Sequence, residues 1–110
     1  MQLKPGVTLK GLCPEMVLGL IVIDSVMWRQ FNIDPVVTSV TDGKHMSRSK
    51  HYLGFAADLR IWGIEDKVTS VVPALSHALG ENFDVVHESD HIHVEFDPKE
   101  KKVASGTTDV

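Results

Sequence analysis

The sequence predicts an α+β domain in which a small antiparallel sheet of about four strands packs against two main helices. Two longer segments show the apolar periodicity of helices, and four shorter segments show the β-branched or alternating character of strands. These elements follow one another as helix, strand, strand, helix, strand, strand. Packing both helices against one sheet is the economical way to bury their apolar faces.

The first helix is predicted over residues 14–32. Proline suits the first helical position, and Glu15 is well placed at the positive end of the helix dipole. Apolar residues recur at steps of three and four over a surface wider than one stripe, which predicts packing on more than one side. The repeating positions are Val17, Leu20, Ile21, Asp24, Trp28 and Phe31. Pro35 then stops the helical pattern.

Residues 36–41 are rich in β-branched side chains and are predicted to form a strand, as are residues 55–62. A second helix is predicted over residues 65–79, where Gly80 ends it. Pro73 lies inside this segment and removes a backbone hydrogen bond, so we expect a kink or a break into two short helices.

Two further strands are predicted over residues 83–88 and 91–96, joined by a tight turn around Ser89 and Asp90. Residues 1–98 are expected to form a single domain, because 110 residues are enough for one compact domain and too few for two. The apolar content drops afterwards, which predicts a loose C-terminal tail over residues 99–110.

Composition excludes several classes of function. The net charge of −4 argues against nucleic-acid binding, which needs a concentrated basic face. Cys13 is the only cysteine, so no internal disulfide can form. The most apolar run, residues 16–27, is shorter than the roughly 20 residues that cross a bilayer, so membrane insertion is not expected. No secretory signal is recognisable at the N-terminus, which predicts synthesis in the cytoplasm, and we expect a monomer.

The candidate chemistry lies in two short stretches, one ending at Asp58 and the other containing His91 and His93. At positions i and i+2 of a strand, the two histidines share one face. By themselves they favour the solvated face of an edge strand; together with His51 and Asp58 they predict a metal site. Asp90 supplies the spare acid that a catalytic zinc site needs beside its three ligands.

Both stretches resemble motifs of a known family. Ser49-x-His51-x-x-Gly54-x-Ala56-x-Asp58 matches the Ser-x-His-x-x-Gly-x-Ala-x-Asp signature of the D-Ala-D-Ala carboxypeptidase and L-alanyl-D-glutamate endopeptidase family of zinc peptidases. Asp90-His91-Ile92-His93 resembles that family's second motif, an acid three residues before the last ligand histidine. The resemblance covers residues 38–96, about half of the chain, and is closest to the small single-domain members of bacteriophage endolysins and prophage regions.

The resemblance implies that His51, Asp58 and His93 bind one zinc ion. It implies that Asp90 is the general base that deprotonates the attacking water and hands the proton to the leaving amine. His91 would stabilise the oxyanion or orient the substrate.

Two features depart from the family. Many relatives have glutamate as the base, whereas this chain has the shorter Asp90; Glu88 is the rival base and ranks second because the turn intervenes. Many relatives also carry an arginine or glutamine upstream of the first motif to bind a substrate carboxylate. In that region this chain offers only Arg48 and Lys44, so an endopeptidase is better supported than an exopeptidase.

Other residues are assigned to substrate binding on weaker grounds. Ser49 would hydrogen-bond a peptide or carboxylate group of the substrate, as the resemblance implies. His45 lies in the loop before the motif and could line the cleft or be exposed. Trp62 could flank the substrate, although aromatic residues beside a sheet more often pack. Gly54 is expected to permit a bend and a close approach of neighbouring backbone, and Arg60 has no motif support.

The function that the resemblance implies is hydrolysis of the L-Ala–D-Glu bond in the stem peptide of bacterial peptidoglycan. The alternatives are a D-Ala-D-Ala carboxypeptidase and a non-catalytic zinc-binding module, since hedgehog signalling domains resemble this family. Asp90 favours the enzyme because a structural zinc has no use for a spare acid and usually has four ligands. Such an enzyme would reach the cell wall through a separate membrane-permeabilising protein.

Overall fold

The computed structural model describes residues 1–41 and 53–99, and these ranges form two α-helices and one sheet of five strands. The helices are α1 (Pro14–Phe31) and α2 (Val68–Leu79), and a short 3-10 turn over Glu65–Lys67 precedes α2. The strands are β1 (Gln2–Leu3), β2 (Val36–Ser39), β3 (Ala56–Arg60), β4 (Phe83–Glu88) and β5 (His91–Phe96). The predicted α+β class is confirmed, and so are the last two strands with their turn.

The sheet has the strand order β1-β2-β3-β5-β4, so the expectation of about four antiparallel strands was wrong at one edge. There β1 pairs in parallel with β2, whereas the other pairings are antiparallel. Backbone hydrogen bonds hold β1 in place, from Gln2 N to Pro35 O at 2.8 Å and from Lys4 N to Val37 O at 2.9 Å. A two-residue strand held through its backbone leaves no periodic signal in its side chains.

Helix α1 buries one face, and of the repeating positions named from the sequence only Leu20 is among its buried residues. Its buried residues are Met16, Gly19, Leu20, Ile23, Val26 and Met27, whereas Val17, Ile21 and Trp28 are exposed. Packing on more than one side was also wrong. Because apolar residues occupy both faces of this helix, their spacing did not determine which face meets the core.

Helix α2 continues through Pro73, so of the kink or break expected there the break does not occur. Proline leaves the carbonyl of Thr69 without its usual helical N–H partner. Both residues are exposed, so water can hydrate that carbonyl. No helix within the described residues is both long enough and apolar enough to cross a membrane.

The two faces of the sheet have opposite character. One face packs against α1 and α2 and contributes Val37, Ala57, Leu59, Ile92 and Val94 to the core, each of them fully buried. Since side chains alternate along a strand, the residues between these point away from the helices. That second face carries Asp58, Arg60, His91, His93 and Glu95.

Gly54 stands just before β3 at a point where only glycine fits. Its φ is +77°, in the left-handed region, and an added Cβ would overlap the carbonyl oxygen of Gly11. The Gly54 carbonyl accepts a hydrogen bond from Cys13 N at 3.0 Å. The close backbone approach expected from the sequence is confirmed, and it ties the start of α1 to the start of β3.

Replacing Gly54 by alanine is expected to destabilise the protein by several kcal/mol, on the order of 1–2 kcal/mol for the positive φ and about 1–3 kcal/mol for the overlap. Gly63→Ala is the matched control, because Gly63 has a φ of +78° with nothing within 4 Å of an added Cβ. Urea unfolding of both variants measures the difference. Equal destabilisation of the two variants would show that the contact with Gly11 is unimportant.

Candidate metal centre

The pairing of β3 with β5 brings the two sequence motifs together. Asp58 lies directly opposite His93, and Arg60 lies directly opposite His91. Side chains at directly opposed positions of an antiparallel pair are neighbours, with Cβ atoms roughly 4.5–5.5 Å apart. The carboxylate of the first motif and the histidines of the second therefore share the sheet face that points away from the helices.

Asp58, His91 and His93 form a group that could hold a metal ion. Asp58 Oδ1 lies 3.0 Å from His93 Nδ1 and 3.6 Å from His91 Nε2. One donor atom from each of the three residues lies within 4.8 Å of the others. Two imidazole nitrogens and a carboxylate oxygen fit zinc, which takes these ligands in catalytic sites and leaves a further position for water or substrate.

His93 is held by carboxylates at both ring nitrogens. Nδ1 faces Asp58, and Nε2 lies 2.9 Å from Glu95 Oε1. The hydrogen bond to Asp58 is the largest influence on the pKa of His93; burial opposes it, Glu95 adds to it, and the pKa rises to about 9. A carboxylate on the nitrogen that does not face the metal position is the usual means of orienting a ligand histidine.

His91 is held in a similar way by two other acids. Its Nδ1 lies 2.7 Å from Asp90 Oδ1, and its Nε2 lies 2.9 Å from Glu88 Oε1. Partial burial lowers the pKa of His91, but the hydrogen bond to Asp90, the charge of Asp58 and the hydrogen bond to Glu88 together outweigh it, so the pKa is raised.

An open cleft of about 220 Å³ adjoins the group. Its lining residues are Lys4, Thr38, Asp58, Arg60, Trp62, Asp90 and His91. Asp90 sits in the turn between β4 and β5 with 82% of its side chain exposed. Of the two acids considered as the base, Asp90 lies on the cleft, and Glu88 is not among the described residues that line it.

A second acidic group lies along the same sheet face and differs chemically. Asp84, Glu95 and Asp97 also place their oxygens within 4.8 Å of one another, but no imidazole is among them. Lys99 Nζ lies 3.2 Å from Asp84 and 3.5 Å from Asp97, so a lysine already offsets part of that charge.

Four residues assigned from the sequence lie outside the described residues: His45, Arg48, Ser49 and His51. The structure adds Lys4 and Arg60, which sequence reasoning had not placed in the site. Lys4 follows the unpredicted strand β1 and lines the cleft, whereas Arg60 shares a face with Asp58 and could have been found by strand alternation. Strand alternation from the sequence also predicts Glu95 on the face of His91 and His93, and Glu95 lies there. Trp62, for which packing was the more usual interpretation, is 71% exposed on the cleft.

No model of a known protein family matches this sequence, and no curated protein matches it significantly.

Metal binding at this centre is expected to release about one proton per zinc ion near neutral pH, because His93 must lose its proton before Nδ1 can act as a ligand. With a His93 pKa of about 9, zinc affinity should rise roughly tenfold between pH 7 and pH 8. Calorimetric titration in two buffers of different ionisation enthalpy counts the protons. An ordinary histidine, with a pKa of about 6.5, would release few protons in that interval, so a flat affinity there would contradict the prediction.

Proposed function

We propose that this protein is a zinc-dependent peptidase that hydrolyses the stem peptide of bacterial peptidoglycan, with the L-Ala–D-Glu bond as the favoured target. The contact between Asp58 Oδ1 and His93 Nδ1, 3.0 Å across residues 35 apart in sequence, carries the proposal. It brings the last residue of one motif against the last residue of the other. We propose further that the α+β domain is of the kind found in hedgehog signalling domains and D-Ala-D-Ala peptidases.

In this proposal Asp58 and His93 hold one zinc ion together with His51, the ligand that the resemblance supplies. Of the two His93 nitrogens, Nδ1 faces Asp58, while Glu95 holds Nε2 and fixes the ring. Zinc bound there would supply the Lewis acidity that polarises the scissile carbonyl and lowers the pKa of water.

Asp90 is proposed as the general base. Its carboxylate lies on the cleft at the open end of the site, where it can take the proton of the attacking water and deliver it to the leaving amine. His91 orients that carboxylate through the hydrogen bond from Nδ1. Because the surrounding acids favour its charged form, His91 also places positive charge beside the position where the oxyanion develops.

The experiment that tests this function is a digest of purified peptidoglycan with zinc-loaded protein, followed by mass spectrometry of the released fragments. Fragments with a new amino-terminal D-Glu are expected. Release of free D-Ala would instead indicate the carboxypeptidase. If zinc stays bound and no peptide bond is cut, the protein is a zinc-binding module without turnover.

The ligand assignment predicts different losses for different histidines. His51→Ala and His93→Ala should each lose stoichiometric zinc, whereas His91→Ala should keep zinc and lose turnover. His77→Ala is the control, because His77 is exposed on α2. Elemental analysis after dialysis gives the zinc content. If His91→Ala loses zinc and His51→Ala keeps it, the third ligand is His91.

Asp90→Ala is expected to keep zinc and to lose turnover by a factor on the order of 10² or more, because it removes the proton-transfer group while leaving the ligands in place. Glu88→Ala is the matched control: Glu88 binds the other nitrogen of the same histidine. Rates of cleavage of a stem peptide, with zinc content as the check, measure both variants. Full activity in Asp90→Ala with loss in Glu88→Ala would transfer the role to Glu88.

A further inference from the structure

Arg60 brings a positive charge to the cleft that also contains the carboxylates of Asp58 and Asp90. It is the last residue of β3, two positions after Asp58 and directly opposite His91. Two residues along a strand span about 7 Å. Arg60 therefore neighbours the group of Asp58, His91 and His93 without belonging to it. Lys4 lines the same cleft.

The guanidinium of Arg60 has no anionic partner within the part of the chain that the structure describes. Its Nε is buried and lacks a hydrogen-bond acceptor. The carboxylates of Asp58 and Asp90 are engaged by His93 and His91 instead. A buried donor left without an acceptor costs roughly 1–3 kcal/mol, and a ligand oxygen at this position would remove that cost.

Trp62 holds the guanidinium in place. The Arg60 Cζ atom lies 4.4 Å from the centre of the Trp62 ring, and Trp62 is itself mostly exposed. Stacking against an aromatic ring restricts the arginine while leaving its N–H groups free to donate. A restrained planar donor set of this kind suits a carboxylate, which can accept two parallel hydrogen bonds from it.

We propose that Arg60, restrained by Trp62, binds a carboxylate of the substrate next to the scissile bond. The inference rests on the proposed function and deepens it. In the stem peptide, D-Glu is linked onward through its γ-carboxyl group, so its α-carboxylate is free and sits on the carbon that bears the scissile nitrogen. Arg60 therefore selects stem peptides with ionised D-Glu over those in which this carboxylate is amidated.

The test compares two ligands that differ only in that group: the tetrapeptide L-Ala-γ-D-Glu-L-Lys-D-Ala and the same peptide with D-isoglutamine. Binding is measured by calorimetry on zinc-loaded protein carrying Asp90→Ala, which prevents turnover. The acid should bind about 10-fold to 100-fold more tightly than the amide, the range expected for hydrogen bonds to a charged group.

Three variants on that background separate the role of Arg60 from a general effect of charge. Arg60→Gln should abolish the preference for the acid, and Arg60→Lys should keep part of it, because lysine retains the charge without the planar donor pair. Arg29→Gln makes the same change on the exposed last turn of α1 and should leave the preference unaltered.

Equal binding of acid and amide would overturn the proposal, as would failure of both to bind or persistence of the preference in Arg60→Gln. The acid and amide peptides are compared on protein that retains Arg60. This comparison can therefore contradict the proposal even if the Arg60 variants fold poorly. Cleavage by protein with Asp90 intact separates the two ideas. Preference for the acid without cleavage of either peptide would reject the peptidase and keep the assignment of Arg60, whereas cleavage without preference would reject only that assignment.

Discussion

The register between β3 and β5 is the constraint on which the rest of this structure depends. A slip of one residue would turn Asp58 towards the helices and Leu59 towards the cleft, because side chains alternate along a strand. Burial of Leu59 and Ile92, both fully enclosed, opposes that slip. The same pairing that closes the hydrophobic core thus sets Asp58 against His93. The placement of these two candidate ligands is therefore a consequence of core packing.

Charge explains why this face of the sheet suits a divalent cation. Four carboxylates, those of Asp58, Glu88, Asp90 and Glu95, contact two imidazoles. Protons on both rings would offset only part of this negative charge. The same excess of carboxylates raises the pKa values of the two histidines. A zinc ion would replace a proton at the position that Asp58 and His93 share and would bring a larger charge to it. Proton and metal would therefore compete for one site, which is the origin of the expected pH dependence.

The sequence predicts those parts of this structure that local patterns mark, and it does not by itself predict contacts between distant segments. Strands β4 and β5 were predicted to the residue because alternation and a turn mark them locally. The packing of α1 on more than one side was wrong because apolar residues lie on both of its faces, which does not show which face meets the core. Of the kink or break expected at Pro73, the break does not occur, because its exposed position leaves the lost hydrogen bond to water. The contact between Asp58 and His93 depends on a pairing of distant segments, which spacing alone does not contain. The metal-binding character of these residues suggested that they meet, and the resemblance to a known family supported the same grouping.

In the proposed peptidase, the placement of the site residues would meet the different demands of metal binding and of proton transfer. Asp58 and His93 project from the paired strands β3 and β5, whose ladder fixes their backbone, and ligands must be held close to one geometry. Asp90 projects from the turn between β4 and β5 and is mostly exposed, with its orientation set by the hydrogen bond to His91. A base that first takes a proton from water and then gives it to a leaving amine must reach two positions. A side chain on a turn, restrained by one hydrogen bond, meets that demand better than one fixed within the sheet.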